Sequence, residues 1–350
     1  MRYQACLIVL ATCLAFPALA QDNADVEALK AAVLQNADPD YHNLPLALDK
    51  SGKMLQHFTQ TKTTTRGGIT QSGTGTSDYS LAYSETDDGY RVTKTLLKFS
   101  ISDVTDPAIK EGMNDPAAAK MMENLTSALS PLSYSADESL SPVLIEDWEG
   151  TKARVLKAMD ELMTSGGASP QEAAQLKQAM AVVYDQLTPE TATGMFLEAD
   201  RMMGLPHNIG LSLKKPITAS GQIQMPLGGQ PVDAQESIAL ISWNDAGNTA
   251  HVSYDYAPTP ESLKAYLTTF LPTFMKQAGA PAAAITELKT AMSSASPDDF
   301  MKVTTHCDYD MAIDTGVVTK GVCEKVVAMN FMGEKGGSTE RLEFSESFVH

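Results

Sequence analysis

Residues 305–326, "THCDYDMAIDTGVVTKGVCEKV", place two cysteines on either side of the triplet Asp314-Thr315-Gly316. Gly316 suits the left-handed position that closes a three-residue hairpin loop. A hairpin centred on Thr315 sets Cys307 opposite Cys323, His306 opposite Glu324, Asp310 opposite Lys320, Tyr309 opposite Gly321 and Ile313 opposite Val317. The opposite charges then share one face, and Cys307, Tyr309, Met311 and Ile313 share the other. Each such pair contributes about 0.2–1 kcal/mol, so the register rests on all of them jointly. Tyr309 would cover the bare backbone of Gly321, an aromatic beside a strand glycine. A plain three-residue loop makes the cysteines a hydrogen-bonded pair with Cα atoms about 5.5 Å apart, inside the range that a disulfide accepts.

The same stretch invites other chemistries. A redox dithiol is expected as Cys-x-x-Cys at a helix terminus that lowers one thiol's pKa, whereas these cysteines fall mid-strand on an apolar face. "AIDTGVV" resembles the aspartic-protease motif, which needs two carboxylates sharing a proton. The chain has no second Asp-Thr-Gly or Asp-Ser-Gly, and Val317-Val318 stand where that family has Ala-Ser or Ala-Thr. A structural disulfide, Cys307 to Cys323, with the triplet as its turn, is the simplest reading.

Working outward, strands 299–313, 317–331 and 339–349 follow one another, with "GEKGGS" as the second turn. Upstream, Tyr79, Leu81 and Tyr83 alternate, Asp88-Gly89 supplies a turn, and Tyr90 and Val92 alternate again. The apolar residues then move to odd positions at Leu97, Phe99 and Ile101, which predicts a bulge near Lys94–Thr95. "RGGITQSGTGTSD" reads as a glycine-rich hairpin loop, and "DPDYHNLP" as a loop. Strands return from about Ile209, and Ile238, Leu240 and Trp243 lead through "NDAGN" to Ala250, Val252, Tyr254 and Tyr256.

Helices are expected at 23–36, from Asp115-Pro116, over "EDWEGTKARVLKAMDELMTSGG", from the capping box Ser169-Pro170-Gln171-Glu172, and from Thr188-Pro189-Glu190 to Met203-Gly204. Two more start at Thr259-Pro260 and Pro281. The first of these carries the stripe Leu263, Tyr266, Leu267, Phe270, Leu271, Phe274 and Met275, with Pro272 inside. A stripe at this spacing is a core face before it is a binding face. Hairpin-linked strands interleaved with helices give an α+β class with an antiparallel sheet. The expected picture is a curved, half-barrel-like sheet with helices packed on one face. One domain spanning 21–350 is expected; any split would fall near Gly204-Leu205-Pro206, within 204–208.

The first twenty residues, "MRYQACLIVLATCLAFPALA", have the charged start, apolar run and Ala18-Leu19-Ala20 end of a secretory signal peptide cleaved after Ala20. Leu10-Ala11-Thr12-Cys13 is a competing lipidation signal, weakened by Thr12 at a position that favours Gly, Ala or Ser. Cleavage removes Cys6 and Cys13 and leaves Cys307 and Cys323 in an oxidising compartment, periplasmic or secreted. No later stretch is long enough to span a membrane as a helix. The formal charge of −17 argues against nucleic acid and anionic membrane surfaces.

The sequence names no catalytic residue, cofactor or metal ligand. It lacks a Gly-x-Ser-x-Gly elbow, a phosphate loop and a His-Glu-x-x-His helix. Met121-Met122 and Met202-Met203 with His207 suggest a thioether copper(I) site, though methionine equally fills helical cores. The C-terminal stretch "DYDMAIDTGVVTKGVCEKVVAMNF" with "STERLEFSES" looks like the ending of secreted bacterial proteins. The wider layout is similar to the half-barrel envelope proteins that carry lipoproteins or lipids. That resemblance implies a non-enzymatic protein holding an apolar ligand or an envelope partner protein between sheet and helices, and it transfers no functional residue. A hydrolase with scattered acid and base residues and a Met-based metal binder are the alternatives.

Overall fold

The computed structural model describes residues 40–107, 110, 127–165, 184–185, 187–223, 230–277, 282–294, 296, 301–331 and 334–349. The signal-like segment 1–20, the helix expected at 23–36, the helix expected from Asp115, the capping box at Ser169 and the pair Met121-Met122 lie outside these residues.

In chain order the described elements are β1 (Tyr41–Leu44), β2 (Ser51–Arg66), β3 (Ile69–Thr86), β4 (Gly89–Ser102), β5 (Leu132–Ala136), β6 (Pro142–Ile145), α1 (Trp148–Ser165), α2 (Pro189–Phe196), α3 (Glu198–Gly204), β7 (Ile209–Ser212), β8 (Ile217–Ile223), β9 (Val232–Asn244), β10 (Thr249–Pro258), α4 (Pro260–Gln277), α5 (Ala282–Ser294), β11 (Met301–Ala312), β12 (Val318–Phe331) and β13 (Glu334–Phe348). Eleven strands form one open sheet in the order β6-β5-β4-β3-β2-β13-β12-β11-β10-β9-β8, and β1 pairs with β7 separately. Every paired strand is antiparallel. The α+β class and the antiparallel sheet therefore stand.

The sheet is centred on β13, which joins the two ends of the fold. It pairs with β12 on one side and with β2 on the other, Phe344 facing Phe58. Two apolar cores flank this centre. One gathers Tyr254, Cys307, Tyr309 and Phe344 with Leu263 and Tyr266 of α4. The other gathers Met54, Leu81, Val92 and Tyr134 with Trp148 and Val155 of α1. Half-buried Tyr79 packs against both.

The β11–β12 hairpin has the expected pairs Cys307–Cys323, His306–Glu324, Tyr309–Gly321 and Asp310–Lys320. Closer to the turn the register slips by one, and Met311 faces Val318. Ile313 donates instead to the Asn248 carbonyl, so its expected pairing with Val317 does not form. Thr319 is the extra residue of this bulge, and its hydroxyl donates to the Asp310 carbonyl. The cysteine Cα atoms are 4.0 Å apart, nearer the spacing of a non-hydrogen-bonded pair than the expected ~5.5 Å. Gly316 adopts φ 69°, as expected for the turn. A Cβ there would also lie 2.2 Å from the Pro45 carbonyl, so close approach of the 45–47 segment demands glycine independently. The ring against Gly321 belongs to Phe344 on β13, where a Cβ would meet its Cε2 at 2.1 Å; Tyr309 is its partner in register only.

Four further expectations change. "ITQSGTGTSD" is the first half of the eighteen-residue strand β3, with only Gly67-Gly68 at the hairpin tip, because its Thr and Ser side chains pair across the ladder with those of β2. Tyr41–Leu44 is a short strand and not a loop, since β7 supplies a partner. Residues Glu334–Ser338 of "GEKGGS" belong to β13 and pair with β12 and β2. The helix expected from Thr188 to Gly204 is two, broken at Leu197, where φ −120° and ψ 25° leave the helical region. Thr188 caps α2 as expected, with Thr191 completing the box.

Candidate functional site

The alternation along β4 carries past the point where a bulge was expected. Tyr83 faces Val92, Leu81 faces Lys94, and Tyr79 faces Leu96. The slip comes later, between the pairs Tyr79–Leu96 and Asp78–Lys98, with Leu97 as the extra residue. Lys94 therefore occupies an interior position that the pattern reserves for an apolar side chain. The bulge expected near Lys94–Thr95 falls at Leu97 instead.

Inside, Lys94 meets Asp200 of α3. Its Nζ donates to both carboxylate oxygens at 2.6 Å, and the two side chains are 8% and 3% exposed. The ring centroids of Tyr79 and Phe58 lie 4.2 and 4.8 Å from Nζ, within cation–π distance. Buried charges are tolerated only when paired in this way.

A second buried pair lies close by in the chain. His207, three residues beyond α3, has Nε2 2.7 Å from Glu346 Oε1 on β13, and both side chains are 2% exposed. With the ring protonated, the two form a buried ion pair. Nδ1 is 3.1 Å from the Ser139 carbonyl, an acceptor, so that nitrogen carries a proton. Burial works against a charge on His207, but the nearby Glu346 and the Ser139 carbonyl outweigh it and the pKa is raised. Glu346 Oε1 also accepts from the Val318 amide at 3.1 Å.

Tyr134 on β5 completes the seam. Its hydroxyl is wholly buried and has no hydrogen-bond partner among the described residues. Burial first, then the charges of Asp200 and Glu346, push its pKa well up, so it keeps its proton. Gln56 on β2 is opposite Glu346 in register and donates to Met203 Sδ at 3.9 Å.

These contacts make α3 the joint of the sheet. Asp200 reaches β4, Met203 reaches β2, the Met202 carbonyl accepts from Tyr309 of β11 at 2.8 Å, Glu198 pairs with Lys325 of β12 at 3.3 Å, and His207 reaches β13. The methionine–histidine grouping near residue 203 is thus used in packing: Met203 takes the Gln56 amide, and both ring nitrogens of His207 have other partners. Among the described residues no group of His, Cys, Asp or Glu is arranged to hold a metal ion.

Cys307 and Cys323 are bonded, S–S 2.07 Å, and buried in the core with Tyr309. Asp314 of the Asp-Thr-Gly triplet sits in an exposed turn. Asn248 clamps it, donating from Nδ2 to the carboxylate at 2.7 Å and accepting from the Asp314 amide at 3.0 Å. On the solvent face, two histidines alternate with three aspartates across β10 and β11. His251 lies 3.0 Å from Asp310 and 3.4 Å from Asp308, and His306 lies 2.8 Å from Asp255 and 3.3 Å from Asp308. His306 loses some charge preference to partial burial but gains more from Asp255 and Asp308, so its pKa is raised. On α4, burial pushes the Tyr266 hydroxyl up to about 12, in keeping with a core-facing stripe.

Lys94, Asp200, Tyr134 and Glu346 escaped the sequence reading. The usable signal was the parity of β4: kept intact from Tyr90, it places Lys94 inside, and a lysine inside demands a buried carboxylate.

The protein is thus of the α+β class, with an open eleven-stranded antiparallel sheet, the Cys307–Cys323 disulfide and a charged seam under α3. No family model and no curated protein matches the chain. Among solved structures, DynF from the dynemicin biosynthesis pathway of Micromonospora chersina aligns over 90% of this chain and 87% of its own at 7% identity, with a TM-score of 0.20. The Pseudomonas aeruginosa protein OpdR aligns over 87% and 98% at 6% identity, with a TM-score of 0.17. Scores of this size establish no common fold. Among the described residues no helix is long and apolar enough to cross a membrane.

Proposed function

We propose that the protein is an exported, non-enzymatic binding protein of the bacterial envelope, whose sheet curves as a half-barrel under helices on one face and holds an apolar ligand against that face. The inner surface of the long strands beyond the two cores carries this reading. In register with the buried residues lie Phe99 and Ile101 of β4, Leu342 of β13 and Val327 and Met329 of β12, half-buried or exposed. Gly73 and Gly75 of β3 leave that surface low beside Phe99 and Val104. These apolar side chains flank a polar strip of Gln60, Lys62, Glu340 and Lys325 on the same face, and apolar surface that the described residues cover incompletely favours an apolar guest.

Native mass spectrometry of protein purified from its own envelope tests the proposal. A co-purifying lipid-sized mass that is lost on Leu342→Asp supports it. Protein that carries no such mass, and gains none when offered fatty acid or phospholipid in detergent, overturns it.

A further inference from the structure

We propose that Lys94 and Asp200 are the two ends of an intramolecular amide cross-link, a covalent bond between Nζ of Lys94 and Cγ of Asp200 that ties β4 to α3. The inference is independent of what the protein binds.

The geometry points there in three ways. First, the amine is centred on the carboxylate, 2.6 Å from each oxygen, on side chains that are almost wholly buried. Reacting groups held in contact in a dry site have most of the entropic cost of their encounter already met. Second, the surroundings favour the neutral product. Two buried charges are costly to keep out of water, while an amide is uncharged. The rings of Tyr79 and Phe58 over Nζ exclude the water that would drive hydrolysis. Third, an uncommitted donor lies within the field of the pair. The Tyr134 hydroxyl is buried, makes no hydrogen bond among the described residues and feels the Asp200 charge.

The chemistry balances within the pair. A proton passes from the Lys94 ammonium to the Asp200 carboxylate, giving free amine and neutral acid. The Nζ lone pair attacks Cγ, forming the N–C bond. One C–O bond then breaks, and its oxygen leaves as water with two of the protons that began on nitrogen. Nothing is oxidised or reduced, and no co-reactant enters.

Intact-mass measurement of the folded, full-length protein after disulfide reduction, followed by peptide mapping, decides the matter. The expected result is a mass one water below that calculated for the purified chain from its own N-terminus and a branched peptide joining the Lys94 and Asp200 segments. Lys94→Arg and Asp200→Ala should each restore the full mass and abolish the branched peptide. A lone dehydration at Asp200, without the branch, would be cyclisation of the aspartate and would overturn the proposal. So would a full-mass wild-type protein that yields the two segments as separate peptides. The wild-type peptide map suffices on its own should either variant fail to fold.

Discussion

Lys94 shows what a single residue costs and what it specifies. Removing one member of a buried pair leaves the other charge unpaired, which typically destabilises by about 3–5 kcal/mol. Lys94→Met should therefore lower unfolding free energy by about that much in urea titrations. Adding Asp200→Leu should recover the part of the loss that comes from the unpaired charge, since apolar groups of similar volume are an acceptable replacement, and leave the part that comes from the missing cross-link. If the double variant is no more stable than the single, the pair is not the cause. His207 makes a prediction in pH. Its folded pKa stands above the ordinary value, so its contribution to stability is full below about pH 6.5 and fades as pH rises through the raised value. Thermal unfolding between pH 6 and 9 should show the decline, and His207→Gln should flatten it. His306 acts with the same sign but is half-exposed, so solvent screening leaves it a small share.

The hairpins show how far elements can be read from sequence. The β11–β12 register was legible because charges, an aromatic–glycine pair and the cysteines all agree on one alignment. The Thr319 bulge was not, because nothing local distinguishes it from a plain loop; the clamp by Asn248 from another hairpin selects it. β3 was misread for the opposite reason. Its glycines suggest a loop, and only the matching Thr-rich strand opposite holds it extended. Lys94 and Asp200 remained invisible as a site because they are far apart in sequence and belong to elements whose meeting no local pattern encodes. At this scale the disulfide should contribute about 3 kcal/mol. Cys307→Ala with Cys323→Ala should lower the urea midpoint accordingly, and an unchanged midpoint would refute the assignment. Gly321→Ala should cost about 1–3 kcal/mol by overpacking against Phe344, seen as a lower melting temperature. Phe344→Leu in the same chain should relieve part of it.

For the whole molecule, the sequence conveyed the class and the antiparallel pairing, while the strand order came only with the structure. Sequence neighbours pair readily in the mind; β2 with β13 and β1 with β7 do not. Those two pairings bring together segments more than a hundred residues apart, and contacts of such range slow folding. The β2–β13 pairing also binds the two cores into one sheet. Removing residues 334–349 should therefore do more than trim an end. It takes the shared partner from β2 and β12, and the truncated protein should lose its cooperative thermal transition and its near-ultraviolet circular dichroism. A retained sharp transition would mean that each half folds alone.

The placement of β13 also sets a schedule. A ribosome or a translocation channel delivers this chain from its beginning, and the centre of the sheet arrives after every other described strand. Until then β2 and β12 present long bare edges, of the kind that recruit other chains. The unfinished protein cannot close early, which keeps it threadable. It is also adhesive for that whole interval, so a stalled or truncated chain should be found with chaperones or in aggregates and not as a smaller folded form.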